Sequence, residues 1–177
     1  MKNEIIMTRP KFRIKLTTID KVVELIGWFA LLTTWIIVIT NYSSLPDTIP
    51  IHYNAVGKAD GFGNKINILL LPLVASILFV GMTIANKFPH IFNYPIKITG
   101  ENAFRQYTNA TRMMRFLKLI LVVIFGLIAF KTTQSTSGNS SVPGIWLLPF
   151  ILCLIFIPLT FFIIKGTSKN HFFLISF

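Results

Sequence analysis

Acidic residues are scarce in this chain of 177 residues: Asp and Glu number 6, against 17 Lys and Arg. Charge of either sign is sparse, at 13% of residues, where a water-soluble domain carries about 25%. Such a chain does not rest on water for most of its surface. Cysteine occurs once, as Cys153 inside an apolar run, so an internal disulfide is excluded and the thiol reads as packing. Four stretches lack charge almost entirely. The runs Ile66–Ala85 and Ile145–Ile164 carry none, Val22–Thr40 carries only Glu24 near its start, and Met113–Phe130 carries only Arg115 and Lys118 near its start. Each is 18 to 20 residues long, and crossing the hydrocarbon core takes about 20 apolar residues in a helix. The expected fold is therefore an all-α membrane protein with four transmembrane helices, at 22–40, 66–85, 113–130 and 145–164.

What charge there is alternates along the chain. Lys and Arg number six before the first run, two between the first and second, six from there into the third, one in the next connection and two in the tail. Basic residues collect on the cytoplasmic side of a membrane. The alternation places both termini, the 1–21 segment, the 86–112 connection and the 165–177 tail inside, with 41–65 and 131–144 outside. The net charge of +11 is thus a record of topology, and no nucleic-acid partner is expected. The first run is too long for the apolar core of a cleaved leader, and no small-residue cleavage site follows it, so an uncleaved anchor is expected. The basic, mixed "KFRIKL" segment before it is expected either to lie on anionic headgroups or to fray.

Within the first run, Trp28 and Trp35 are expected to pack, Thr33 and Thr34 to bond back to the helix backbone, and Glu24 to reach headgroups or Lys21. The second helix is expected to be capped by Asn64, bent at Pro72 and closely approached at Gly81. The fourth carries Pro149 and Pro158, tolerated in a membrane where neighbours satisfy the freed carbonyls. No ionisable residue falls near the middle of any run, which counts against an ion-coupled transporter. In the 86–112 connection, Pro89 and Pro95 forbid a regular helix at first. Beyond Thr99, a capping residue, one long helix is expected to run into the third span. Arg105, Arg112 and Arg115 recur along it at helical spacing, as a basic stripe for lipid headgroups or a cytoplasmic regulator.

The dense exception to all this apolarity is "LPDTIPIHYNAVGKADGFGNK", Leu45–Lys65. Ile49, Ile51 and Tyr53 alternate with Pro50, His52 and Asn54, a period of two that predicts a short extended segment. Gly57, Asp60-Gly61 and Gly63 supply turn chemistry. The loop is expected to fold as a compact outer cap, with Pro50, His52, Asn54, Gly57, Asp60 and Lys65 as its candidate ligand-binding or partner-binding residues. His52, Asp47 and Asp60 are the outer metal candidates, but no metal-ligand spacing supports them. No catalytic residue, metal or cofactor is assigned.

The pattern Leu45-Pro46, Ile49-Pro50, His52, Asn54, Gly57, Asp60-Gly61, Lys65, Leu71-Pro72 resembles the domain of unknown function that opens the SdpI-type family of bacterial immunity membrane proteins. The "FNYPIKITGENAFRQY" segment is similar to that of bacterial relatives carrying the domain, and the likeness spans about residues 22–118. It implies a bacterial cytoplasmic membrane protein that is not an enzyme and protects against a secreted toxin or peptide. In some members it also implies capture of a transcriptional regulator at the membrane. Those proteins carry further helices and a further segment beyond this domain, whereas this sequence reaches Phe177 after four apolar runs. Two other functions stay open on the residues. One is a membrane enzyme acting on lipid or peptide, with His52 as acid or base and Asp60 as its partner. The other is a transporter component lined by Thr33, Thr34, Asn67, Ser76 and Thr83.

Overall fold

The computed structural model describes residues 9–54, 58–135 and 146–168. Four helices dominate: α1 (Thr18–Tyr42), α2 (Leu70–Ala85), α3 (Ala103–Ser135) and α4 (Leu147–Thr167). All four are long and apolar enough to cross a membrane, α2 when extended by the 3₁₀ turn Lys65–Leu69. The expected all-α fold needs one amendment. Between α1 and α2 stands an antiparallel hairpin of β1 (Thr48–Tyr53) and β2 (Ala59–Asn64).

The helices alternate in direction around α3. Along α1 and α3, Asp20 meets Arg112, Glu24 meets Lys118, and Thr34 meets Gly126. The offset stays close to constant, so these two helices run parallel. Against α3, α2 runs the other way: Thr83 meets Lys118 while Asn86, later in sequence, meets Thr111. So does α4, where Asn109 holds the Phe162 carbonyl and Gln106 the Gly166 carbonyl. The hairpin and the described residues that flank the helices at Arg9 and Ser168 therefore lie at opposite ends of the bundle. α3 is central, and α4 rests mainly on it.

Local chemistry explains the element ends. Thr17 and Asp20 form a reciprocal capping box that starts α1. Asn64 caps the 3₁₀ turn before α2, accepting from the Ile66 N–H at 2.9 Å. Thr99 and Asn102 exchange side-chain bonds with each other's backbone just before α3 begins. Pro72 does not interrupt a helix interior: it is the third residue of α2, in the first turn, where N–H groups lack helical acceptors. Pro158 does lie inside α4. The linker 136–145 lies outside the described residues.

Glycine makes the close approaches, but not at Gly81, whose missing side chain faces nothing within 4 Å. A Cβ on Gly27 would sit 2.6 Å from the Phe79 ring, and one on Gly126 2.8 Å from Thr34 Oγ1. Thr33 and Thr34 bond back to the Phe29 and Ala30 carbonyls as expected. Trp28 packs edge-on against Phe79, and Trp35 donates to Ser76 across to α2.

Candidate functional site

The hairpin is fixed by its own polar residues. Asp47 and Lys65 pair at 3.1 Å at its base, where the Lys65 ammonium also reaches the Leu45 carbonyl and stands over the Tyr42 ring. At the tip, Asn54 receives the Lys58 N–H on its side chain and gives its own N–H to the Lys58 carbonyl, closing the turn. Gly57 lies outside the described residues. Halfway along, His52 Nδ1 stands 2.5 Å from Asp60 Oδ1, with the His52 side chain largely in solvent and that of Asp60 partly so. Ile49, buried to 1%, anchors β1 in a cluster with Val38, Leu45, Ile68 and Ala129.

The period-two expectation fails after Ile49. Two irregularities break the register, between Pro50 and His52 and between His52 and Tyr53. A bulge re-aims the side chains that follow it, and Ile51 is consequently 52% exposed. Asp60-Gly61 is not the turn; it lies within β2, opposite His52. Gly61 is required there for another reason, since a Cβ would come 2.9 Å from the His52 Cβ.

Beneath the hairpin lies a cleft of about 700 Å³. β1 forms one wall through Pro50, His52, Tyr53 and Asn54, and Asn67, Leu70 and Leu71 from the start of α2 form another. Ile128 and Thr132 of α3 and Leu148 and Ile151 of α4 complete it. It is mostly apolar, with His52, Asn54, Asn67 and Thr132 among its polar groups, and the buried Tyr53 hydroxyl has no partner among the described residues. Its size and lining suit an amphipathic guest. Pro50, His52 and Asn54 thus share one cavity. Asp60 joins them through His52, while Lys65 braces the hairpin base. Among the described residues, no group of three or more His, Cys, Asp or Glu is placed to hold a metal ion.

The polar residues proposed as a transport path separate. Thr33 bonds its own helix, Thr34 sits beside Gly126, Ser76 meets Trp35, Thr83 meets Lys118, and Asn67 lines the cleft.

The basic stripe divides. Arg112 bonds Asp20 and Thr17 on α1. Arg115 is buried to 4%, beside Asp20 and Glu24, and is not available to lipid or partner. Arg105 alone of the three remains exposed, reaching the Ser168 carbonyl. Charge is also buried within the bundle. Lys118, 1% exposed, donates to Glu24 and Thr83, each at 2.6 Å, over the Phe79 ring. Glu24 therefore pairs with α3, not Lys21. The sequence signal was present, since both acids of the first helix and three cations of the third recur at three- or four-residue spacing.

Four membrane-length helices, a hairpin at one end and a cleft beneath it define a multi-pass membrane protein. Comparison places the hairpin in a recognised but functionally undescribed unit: the family described as Domain of unknown function (DUF1648) matches residues 29–75, from the middle of α1 through the hairpin into α2. An uncharacterized protein of Archaeoglobus fulgidus is 27% identical over 151 residues, covering 80% of this chain and 82% of its own length. No solved structure matches.

Proposed function

We propose that this protein lies in a bacterial cytoplasmic membrane with its termini inside, and that its hairpin and cleft receive the apolar part of an extracytoplasmic peptide. An immunity or sensing protein would work in this way. The orientation rests on the alternation of Lys and Arg. The observation that carries the reading is the cleft of about 700 Å³, walled by the hairpin motif and open to an amphipathic guest. Its polar groups come from the stretch that resembles immunity proteins, and its apolar floor comes from three helices. The working surface is then His52, Asn54 and Pro50, with Asp60 and Lys65 holding the hairpin that presents them. Binding needs no catalytic group. A cytoplasmic regulator would meet Arg105, since Arg112 and Arg115 are engaged within the bundle.

The test is growth of cells with and without the protein, challenged by secreted peptides of their own community. Ile151→Trp, which fills the cleft from α4, is expected to abolish protection at normal membrane levels, and His52→Ala to weaken it. No protection by the native chain would end the immunity reading. A second reading, a membrane enzyme, is favoured by the His52–Asp60 contact beside the cleft. Turnover of a lipid or peptide, lost in His52→Ala and Asp60→Ala alike, would establish that reading instead.

A further inference from the structure

At the end of the bundle opposite the hairpin, the described segment from Arg9 to Leu16 is folded rather than frayed. The segment before α1 is extended and docked: Phe12 packs on Phe104 and Tyr107, the Tyr107 hydroxyl donates to the Pro10 carbonyl, and Arg9 reaches the His90 and Phe92 carbonyls. Tyr94 closes the cluster, donating its hydroxyl to the Pro89 carbonyl, with its pKa pushed up by burial and by Tyr107 and lowered somewhat by Arg9. Docking sorts the side chains of the segment. Phe12 and Ile14 turn inward, while Lys11, Arg13 and Lys15 stand exposed.

The depth of this layer follows from α4. Asn109 and Gln106 hold the carbonyls of Phe162 and Gly166, so residues 106–109 of α3 lie level with the last turn of α4. That turn carries Lys165 and ends the helix. Tyr107, and with it the docked segment, therefore sits where hydrocarbon gives way to headgroups. Aromatic side chains settle at that depth. Phe88, Ile91 and Phe104 are 46%, 67% and 63% exposed in the same layer, beside exposed Lys97 and Arg105. Acidic side chains do not balance these cations. Asp20 and Glu24 are committed to α3, which leaves Glu101 as the remaining described acid at this end.

We propose that this layer is a preorganised collar for anionic phospholipid: exposed apolar side chains enter the leaflet, and the cationic row Lys11, Arg13 and Lys15 engages its headgroups. A flexible basic tail would lose conformational entropy on reaching the same headgroups. Here the aromatic dock has already ordered the segment. The inference holds for whichever leaflet meets this end, and does not depend on the role of the hairpin.

The experiment uses the full chain in nanodiscs of phosphatidylcholine, with or without phosphatidylglycerol, and reads thermal unfolding. For the native protein, phosphatidylglycerol is expected to raise Tm by about 5 °C. The triple variant Lys11→Gln, Arg13→Gln, Lys15→Gln is expected to lose most of that difference, measured against its own value in phosphatidylcholine. Lys58→Gln at the hairpin end keeps it. Salt at 1 M, where screening shortens to about 3 Å, removes it from the native protein. Equal Tm in the two bilayers overturns the collar, as does a full difference retained by the triple variant. So does polyglutamate reproducing the shift in pure phosphatidylcholine, which would mark a surface for acidic polypeptides.

Discussion

Gly126 decides how closely α1 and α3 meet in the apolar middle of the bundle. A methyl group there would stand 2.8 Å from Thr34 Oγ1, and that hydroxyl is held on the Ala30 carbonyl. Neither helix offers a flexible side-chain end to move aside. Gly126→Ala is therefore expected to destabilise by about 1–3 kcal/mol, the usual cost of overpacking. Thr34→Ala alone should cost less, because its hydroxyl bonds only its own helix. The double variant should recover most of the loss, and thermal unfolding in detergent of all four proteins measures the coupling. Additive losses would show that Thr34 is not what Gly126 accommodates. Gly81 and Gly126 look alike in sequence, each a glycine within an apolar run. Only the facing surface separates them, and a single chain does not display its facing surfaces.

At the scale of helices, the ion pairs between α1 and α3 replace the picture of uniformly greasy spans. Lys118 is almost wholly buried, and apart from Thr83 its polar partner is Glu24. Removing one member of such a pair leaves a charge without compensation in a medium that solvates it poorly, typically a loss of about 3–5 kcal/mol. Glu24→Gln is expected to fall in that range. Glu24→Gln with Lys118→Met should be much closer to the native protein, because the lost carboxylate is then matched by a lost ammonium and Arg115 keeps Asp20 beside it. Unfolding midpoints of the single and double variants check this, and a double variant as unstable as Glu24→Gln would refute it. The sequence supplied every member of the network, yet spacing within one helix pointed Glu24 toward Lys21. Pairing between helices was settled by the parallel course of α1 and α3. The hairpin was more legible, because Pro50, Asn54, Gly61 and Lys65 act within one short segment. What escaped was the register: the irregularities around His52 carry Ile51 outward against its alternation, and Gly61 opposite them reads in the sequence as a turn residue.

For the molecule as a whole, charge divides the two ends. The hairpin end pairs its charges locally, Asp47 with Lys65 and Asp60 with His52. The opposite end keeps exposed cations around an aromatic layer and turns Asp20 and Glu24 inward. That asymmetry resists translocation of the basic end, and it is the basis for the proposal that the hairpin faces the outer side. Because Cys153 is the single cysteine, the assignment can be read by labelling. In a Cys153→Ser background, Ser44→Cys lies beside the hairpin on an exposed residue, and Lys97→Cys lies on an exposed residue at the other end. A membrane-impermeant maleimide added to intact cells is expected to modify the first and to reach the second only after the membrane is opened. The reverse pattern would place the cleft on the cytoplasmic side and remove an extracytoplasmic peptide as its guest. The anionic-lipid collar would still stand, because its argument rests on depth and charge within the bundle and not on which compartment the termini face.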